Sequence, residues 1–252
     1  MQEPQLDSPV SLDRAKPYSL DSETAVSRRA ALVRQFPVFA NISPLTLREI
    51  VSAAHEKELS RRQTIFIEGD AVRQVFLLTS GCVKITQLGQ TGCEVILRLS
   101  GPGELVGQIG LCAGGNHLVT ARATKTSTAL VWDAAVFEAI SDRFPILRRN
   151  TARVLSDRLH ELEERFREIS TQKVAPRLSH QLMRLLNQLG RHVDGSFEIG
   201  LSREELAQLT GTTLYTVSRL LCQWEKLGIV SARREAVVVC NLQALTALAE
   251  ER

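Results

Sequence analysis

Residues 201–228 read LSREELAQLTGTTLYTVSRLLCQWEKLG. Ser202-Arg203-Glu204-Glu205 makes a capping box, in which the Ser202 hydroxyl accepts from the Glu205 amide and the Glu205 carboxylate reaches back. Leu201 and Leu206 hold the hydrophobic-staple positions, so the spacing predicts a short helix over about 203–209. Thr210-Gly211-Thr212 reads as a tight turn, with Gly211 suited to left-handed backbone. A second helix is predicted from Thr212 or Thr213, either hydroxyl serving as its cap. Val217, Leu220, Leu221, Trp224 and Leu227 give its buried stripe, and Gly228 its stop. Two helices joined by a glycine turn at this spacing make a helix-turn-helix. The opposite face of the second helix carries Thr213, Tyr215, Thr216, Ser218, Arg219, Gln223 and Lys226. It offers an arginine for guanine, hydroxyls for phosphates and few acids, which suits the major groove of duplex DNA.

Downstream, residues 229–230 and 236–240 read as two strands joined by Ser231-Ala232-Arg233-Arg234-Glu235, a wing with Arg233 and Arg234 in reach of phosphates. The candidate DNA-binding residues are Thr212, Thr213, Tyr215, Thr216, Ser218, Arg219, Gln223, Arg233 and Arg234. Upstream, Leu178, Leu182, Leu185, Leu186 and Leu189 form one helix face that Gly190 ends, and Pro176 marks the start of a domain over 172–252. Ten basic and eight acidic residues leave 171–252 at +2, so charge alone does not mark this domain as a nucleic-acid binder.

Before it, residues 146–169 read as one helix of roughly 36 Å. Ala152, Leu155, Leu159, Leu162, Phe166 and Ile169 are spaced 3-4-3-4-3, a heptad seam flanked by Arg and Glu. The seam points to a two-stranded dimer helix over 144–171, with Leu155, Leu159, Leu162 and Phe166 in its core; a helix packed on its own domain is the competing reading. The charged outer face over 161–168 fits a helix with only one narrow stripe to bury.

The region before the helix has a different rhythm. Ten of the fifteen glycines lie between Gly69 and Gly115, the punctuation of a many-turned β structure. Strands are expected at 63–67, 74–79, 82–88, 94–99, 118–123 and 128–132, with short helices at 28–36, 44–55 and 134–142. Such strands suggest a sandwich or barrel over 28–143. Residues 1–27 are polar, carry Pro4, Pro9 and Pro17, and read as a disordered or loosely attached arm.

The 252 residues are 44% hydrophobic and 23% charged, normal for a folded soluble chain. Net charge is only +3. No apolar run is long enough to span a membrane and the start is unlike a signal peptide, so no membrane partner and a cytoplasmic location are expected. The five cysteines (Cys82, Cys93, Cys112, Cys222, Cys240) have no metal spacing, and no metal site is expected. No His-x-His of a cupin-type metal enzyme and no G-x-S-x-G occur, so no catalytic residue is assigned and no enzyme is expected.

In this order, IFIEGDAVRQVFLLTSGCVKI at 65–85, LSGPGELVGQIGL at 99–111 and LSREELAQLTGTTLYTVSRLL at 201–221 resemble the CRP/FNR transcription regulators over about residues 28–248. The resemblance implies an α+β fold: a cyclic-nucleotide-binding-like β-roll (a double-stranded β-helix), a long dimerisation helix and a C-terminal winged helix-turn-helix. It implies a homodimer on a near-palindromic DNA operator, with RNA polymerase as a partner. It places an effector pocket at Gly107, Gln108, Ile109, His117 and Arg122.

The chain departs from the family at several of these positions. Cyclic-AMP-binding members have a Gly-Glu pair where Gly107-Gln108 stands, and an Arg-Ser pair where residues 116–119 read Asn-His-Leu-Val. Arg122-Ala123 lies too late and matches a different strand pair. A buried phosphate without a cation is costly, so tight cyclic-nucleotide binding is not expected. Residues 1–81 lack the cysteines of the iron–sulfur branch. Haem is left as an option, with His55, His117, His160, His180 and His192 as ligand candidates and no spacing that selects among them; oxidation of Cys82, Cys93 or Cys112 is another. On the reading helix, Arg219 matches the family's base-contacting arginine and Ser218 a sister-branch serine. Tyr215 replaces the usual glutamate, so the target sequence is expected to depart from the common half-site. A winged helix can also dock a partner protein, but the polar Ser/Arg/Thr face argues for DNA.

Overall fold

The computed structural model describes residues 20–89, 92, 94–107, 115–193 and 196–250. Its first helix, α1 (Leu20–Val33), corrects the expected arm: residues 20–27 are helical, and residues 1–19 lie outside the described residues. Past Pro17 the chain has buried anchors at Ala30 and Val33 and ion pairs from Glu23 to Arg48 (3.0 Å) and Arg29 to Glu56 (3.0 Å). A 3-10 turn (Pro37–Phe39) leads to α2 (Pro44–Ser52), which Ser43 caps and whose Leu47, Ile50 and Val51 are buried.

Eight strands follow: β1 (His55–Leu59), β2 (Thr64–Phe66), β3 (Gln74–Ser80), β4 (Val83–Leu88), β5 (Glu94–Ser100), β6 (Leu105–Val106), β7 (Thr120–Ala123) and β8 (Ser127–Asp133). They form two four-stranded antiparallel sheets, ordered β1-β8-β3-β6 and β2-β7-β4-β5. Between them pack Leu59, Phe66, Phe76, Leu78, Val83, Ile85, Val106, Ala121, Ala123, Ala129 and Val131. The outer face of the first sheet packs Leu77, Leu130 and Trp132 against α1, α2 and α3 (Ala134–Arg143), and the Trp132 indole donates to the Ile50 carbonyl at 2.9 Å. β1 was not expected, because His-Glu-Lys-Glu-Leu lacks an apolar alternation; a sheet edge tolerates it and is protected by its charges.

The long helix α4 (Pro145–Thr171) leaves Glu161, Glu163, Glu164 and Arg167 of its charged face in solvent but turns Arg158, Arg165 and Glu168 inward. Arg158 donates to the Leu105 carbonyl (2.9 Å) and Arg165 to the Leu97 carbonyl (3.2 Å). Leu105 and Leu97 lie on the edge strands β6 and β5, and Leu97 is the residue skipped by the register shift between the pairs Ile85–Arg98 and Thr86–Ile96. Their carbonyls take a guanidinium in place of a further strand. The apolar seam faces away: Leu155, Leu159, Leu162, Phe166 and Ile169 are all exposed, Phe166 at 73%.

The remainder comprises α5 (Val174–Leu189), β9 (Arg191–Val193), β10 (Ser196–Ile199), α6 (Arg203–Thr210), α7 (Leu214–Lys226), β11 (Val230–Ala232), β12 (Val237–Val239) and α8 (Leu242–Glu250). The sheet order is β11-β12-β10-β9. The β9–β10 hairpin and α8 were not expected from the sequence. Leu178, Leu182, Leu185, Leu206, Val217, Leu221, Trp224 and Leu245 share a core that continues into Cys82, Ile96 and Leu99 of the roll.

Gly81 joins β3 to β4 with φ +93°, and a Cβ there would run into the Ser127 side chain and backbone. Both strain and overlap therefore oppose a side chain. Gly81→Ala is expected to lower stability by about 2 kcal/mol or more, read as a shifted midpoint in urea unfolding.

Candidate nucleic-acid interface

The capping box forms as the sequence requires. The Glu205 amide donates to Ser202 Oγ (3.2 Å), and the Ser202 amide donates to Glu205 Oε2 (2.9 Å). Gly211 ends α6 in the left-handed region (φ +60°, ψ +46°). Thr213, rather than Thr212, caps α7: its hydroxyl accepts from the Thr216 amide at 3.2 Å. Val217, Leu220, Leu221 and Trp224 are buried as expected. Leu227 is not; it is 65% exposed. The helix ends at Lys226, Gly228 turns the chain with φ +68°, and Ile229 takes the core position instead.

The other face of α7 is open to solvent. Tyr215 (77% exposed), Thr213, Arg219, Gln223 and Lys226 are exposed, and Thr212, Thr216 and Ser218 are half-buried. Leu214 and Cys222 are exposed on α7 too and were not singled out from sequence. Their helical spacing to Ser218 and Arg219 was the available signal. This surface can donate two guanidinium hydrogens to one base, place a ring against a thymine methyl and bond phosphates through hydroxyls.

The wing is fixed to α7 by the Glu225 carboxylate, which accepts from the Ala232 amide at 2.9 Å. The Arg233 amide closes its turn on the Ala236 carbonyl (2.8 Å). The Arg233 guanidinium pairs with Glu198 at 3.0 Å in an exposed bridge, a pairing weak enough to exchange for a phosphate. Arg234 is exposed, and Glu235 pairs with Arg61 of the roll at 3.0 Å. Beneath the α6–α7 turn, buried Arg177 donates to the carbonyls of Thr210 and Gly211.

The expected effector pocket is only partly assembled. A Cβ on Gly107 would lie 3.6 Å from the His117 ring, so these two residues are neighbours. His117 is buried and stacked on Phe66, with ring centroids 3.6 Å apart and planes 7° apart. Burial pushes its pKa down against the pull of Asp70, and its Nδ1 is buried without a partner. Arg122 does not join them. Ala121 and Ala123 point into the roll core, so strand alternation turns Arg122 outward, into a cleft facing the winged domain beside Lys84, Glu94 and Glu205. Gln108 and Ile109 lie outside the described residues, as do Cys93 and Cys112.

Burial pushes the Cys82 thiol up, which lowers its thiolate fraction. Of the other histidines, His55 and His160 are exposed and His180 sits 3.4 Å from Gln172. The side chain of His192 is not among those described. Among the described residues no group of three or more His, Cys, Asp or Glu side chains could hold a metal ion, and no helix is long and apolar enough to cross a membrane.

The cyclic nucleotide-binding domain family matches residues 56–144, and the Crp-like helix-turn-helix domain matches residues 176–248. A cyclic AMP receptor protein of Thermus thermophilus is 29% identical over 194 residues, covering 77% of this chain and 88% of the relative. The fumarate and nitrate reduction regulatory protein of Salmonella typhimurium is 26% identical over 197 residues, covering 77% and 78%. The solved structure of FixK2 from Bradyrhizobium japonicum superposes with a TM-score of 0.68 at 22% identity, covering 79% of this chain and 98% of that one, and so shares the fold. With a cyclic-nucleotide-type roll ahead of a Crp-like reading helix, the chain belongs to the CRP/FNR family of DNA-binding transcription regulators.

Proposed function

We propose that the protein works in the cytoplasm as a homodimer that presents two copies of α7 to a near-palindromic operator, without needing a cyclic nucleotide. In this reading residues 28–143 form the sensory roll, 144–171 the dimer helix and 172–252 the DNA-binding domain. RNA polymerase is the partner expected of a regulator of this family, and no catalysis is assigned to the chain. The observation that carries the dimer is the exposed seam of Leu155, Leu159, Leu162, Phe166 and Ile169, on a helix whose opposite face is held by the roll. Burying one large apolar side chain is worth about 1.5–3 kcal/mol, and two-fold symmetry buries each of these twice. Even half that sum is comparable with the cost of association, about 4–15 kcal/mol. Two-fold symmetry would set the reading helices one DNA turn apart, about 34 Å.

The independence from cyclic nucleotides rests on charge. Residues 107–121 contain no Lys or Arg, and Arg122 points away from His117 toward the winged domain. A cyclic phosphate entering beside Gly107 and His117 would lose its hydration with no cation to replace it.

Selection of bound fragments from random duplex DNA, with no effector added, tests the central reading. Recovery of a two-fold symmetric site with half-sites about ten base pairs apart is expected; sequence-blind binding would overturn it. Leu159→Glu with Leu162→Glu is expected to give a monomer in sedimentation equilibrium, with the roll and winged domain still folded by circular dichroism. On the selected site, Arg219→Ala is expected to cost ~1–3 kcal/mol and to relax the preference over a scrambled site. Arg233→Ala should instead weaken both duplexes alike and reduce the salt slope by about one phosphate contact. Titration calorimetry with cyclic AMP and cyclic GMP is expected to show no micromolar binding.

A further inference from the structure

Arg177 stands in the first turn of α5, directly after Pro176, and is buried. Its guanidinium reaches four backbone carbonyls on two separate elements. Nε donates to Thr210 (2.7 Å) and Nη2 to Gly211 (3.4 Å), the last residue of α6 and the left-handed residue of the turn before α7. Nη1 donates to Ile169 (3.4 Å) and Gln172 (3.3 Å), in the last turn and at the cap of α4. The final carbonyls of a helix have no partner within it, and they form the negative end of its dipole. One planar, permanently charged fork therefore closes the C-terminal ends of α4 and α6 at once, which an ammonium cannot do.

The same corner is packed as well as bonded. A Cβ on Gly211 would lie 3.8 Å from Ile169 Cδ1, so the last apolar residue of the α4 seam lies against the turn of the helix-turn-helix. Three residues later α7 begins, and Thr210 at the start of that turn is 1% exposed, its hydroxyl donating to the Leu206 carbonyl (2.6 Å). Arg177 cannot itself reach DNA, because its side chain is enclosed.

We infer that Arg177 is a positioning residue: it fixes the bearing of α7 relative to the dimer helix, and so determines whether two reading helices fit one bipartite operator. This rests on the dimeric reading above. Each α7 keeps its own surface whatever its bearing, so binding to a single half-site does not depend on the clamp. Simultaneous binding of two half-sites does, because avidity vanishes when geometry forbids both contacts.

The test uses the full chain, the duplex recovered by selection, and the same duplex with one half scrambled, with anisotropy as the readout. Arg177→Lys keeps the charge but loses the fork, and Arg177→Met keeps the length without the charge. The wild type is expected to prefer the bipartite duplex strongly. Either variant should lower bipartite affinity by about tenfold or more, while affinity for the half-scrambled duplex changes by less than about threefold. A nitroxide on exposed Cys222, in a background carrying Cys82→Ala, Cys93→Ser, Cys112→Ser and Cys240→Ser, gives a readout that needs no operator: the distance between the two labels of the dimer should broaden in Arg177→Lys. Equal losses on both duplexes, or an unchanged label distance with an unchanged preference, would overturn the inference and leave dimerisation standing. A wild type that binds both duplexes equally would overturn the dimeric reading and this inference with it.

Discussion

Two arginines on one face of α4 set the geometry from which the rest of the molecule is hung. A roll of two short sheets has open edges, and the carbonyls on those edges need donors. Arg158 and Arg165 supply them at Leu105 and Leu97, one on each sheet, seven residues apart and so on the same side of the helix. Burial pulls both guanidinia below the ordinary arginine value. Neighbouring Arg98 is pulled down to about 10, by burial first and then by the charge of Arg158. All three stay protonated at neutral pH. Glu104 offsets part of their charge, accepting from Arg98 and lying 3.5 Å from Arg158. It also accepts from Gln188 of α5, so roll, long helix and winged domain meet at one carboxylate.

With its arginine face committed to the roll, α4 has its leucine face left for a partner, and that face runs to Ile169 beside the α6–α7 turn. There Glu168 takes a two-pronged hydrogen bond from Arg184 of α5, at 2.7 Å for each oxygen. Burial alone would raise the Glu168 carboxyl, but Arg184, with His180 and Arg165, outweighs it and holds the group below its ordinary value. The clamp is thus fully charged at neutral pH, and it weakens only as pH falls through that depressed value. The roll is bonded to α4, and α4 to α5 and the turn before α7, through these side chains. An effector would act through this chain only by binding one arrangement of it more tightly than another.

Local chemistry made the reading domain legible. A capping box, a left-handed glycine and a threonine cap each have a partner within four residues, and all three formed as read. The glycine rhythm of the roll was legible for the same reason. Features that depend on distant residues were less so. β1 is a strand because β8 lies beside it, though its own residues are mostly charged. Most of the charged face over 161–168 is solvated as read, but nothing local says that the roll's bulged edge is waiting for Arg165. Arg122 is the exception, since its outward direction follows from the alanines on either side. That direction agrees with its late position, since Arg122-Ala123 matches a different strand pair from the effector site's Arg-Ser. Arg177 carried no local signal, because its four acceptors come from two other elements.

The modest charge of the winged domain makes this rigidity consequential. Ten bases against eight acids over 171–252 give a weak sequence-independent hold on DNA. The reading face adds few cations of its own; beside Arg219 and Lys226 it presents Tyr215, Leu214 and hydroxyls. These groups act at contact distance and fall off steeply with misalignment, unlike a basic patch that attracts phosphates from afar. A regulator built this way gains little by sliding a loosely held helix over the groove. In the proposed dimer, its discrimination would come from two helices arriving together at the right separation and tilt. A buried fork that joins the end of α4 to the turn before the reading helix is where such a demand would be met.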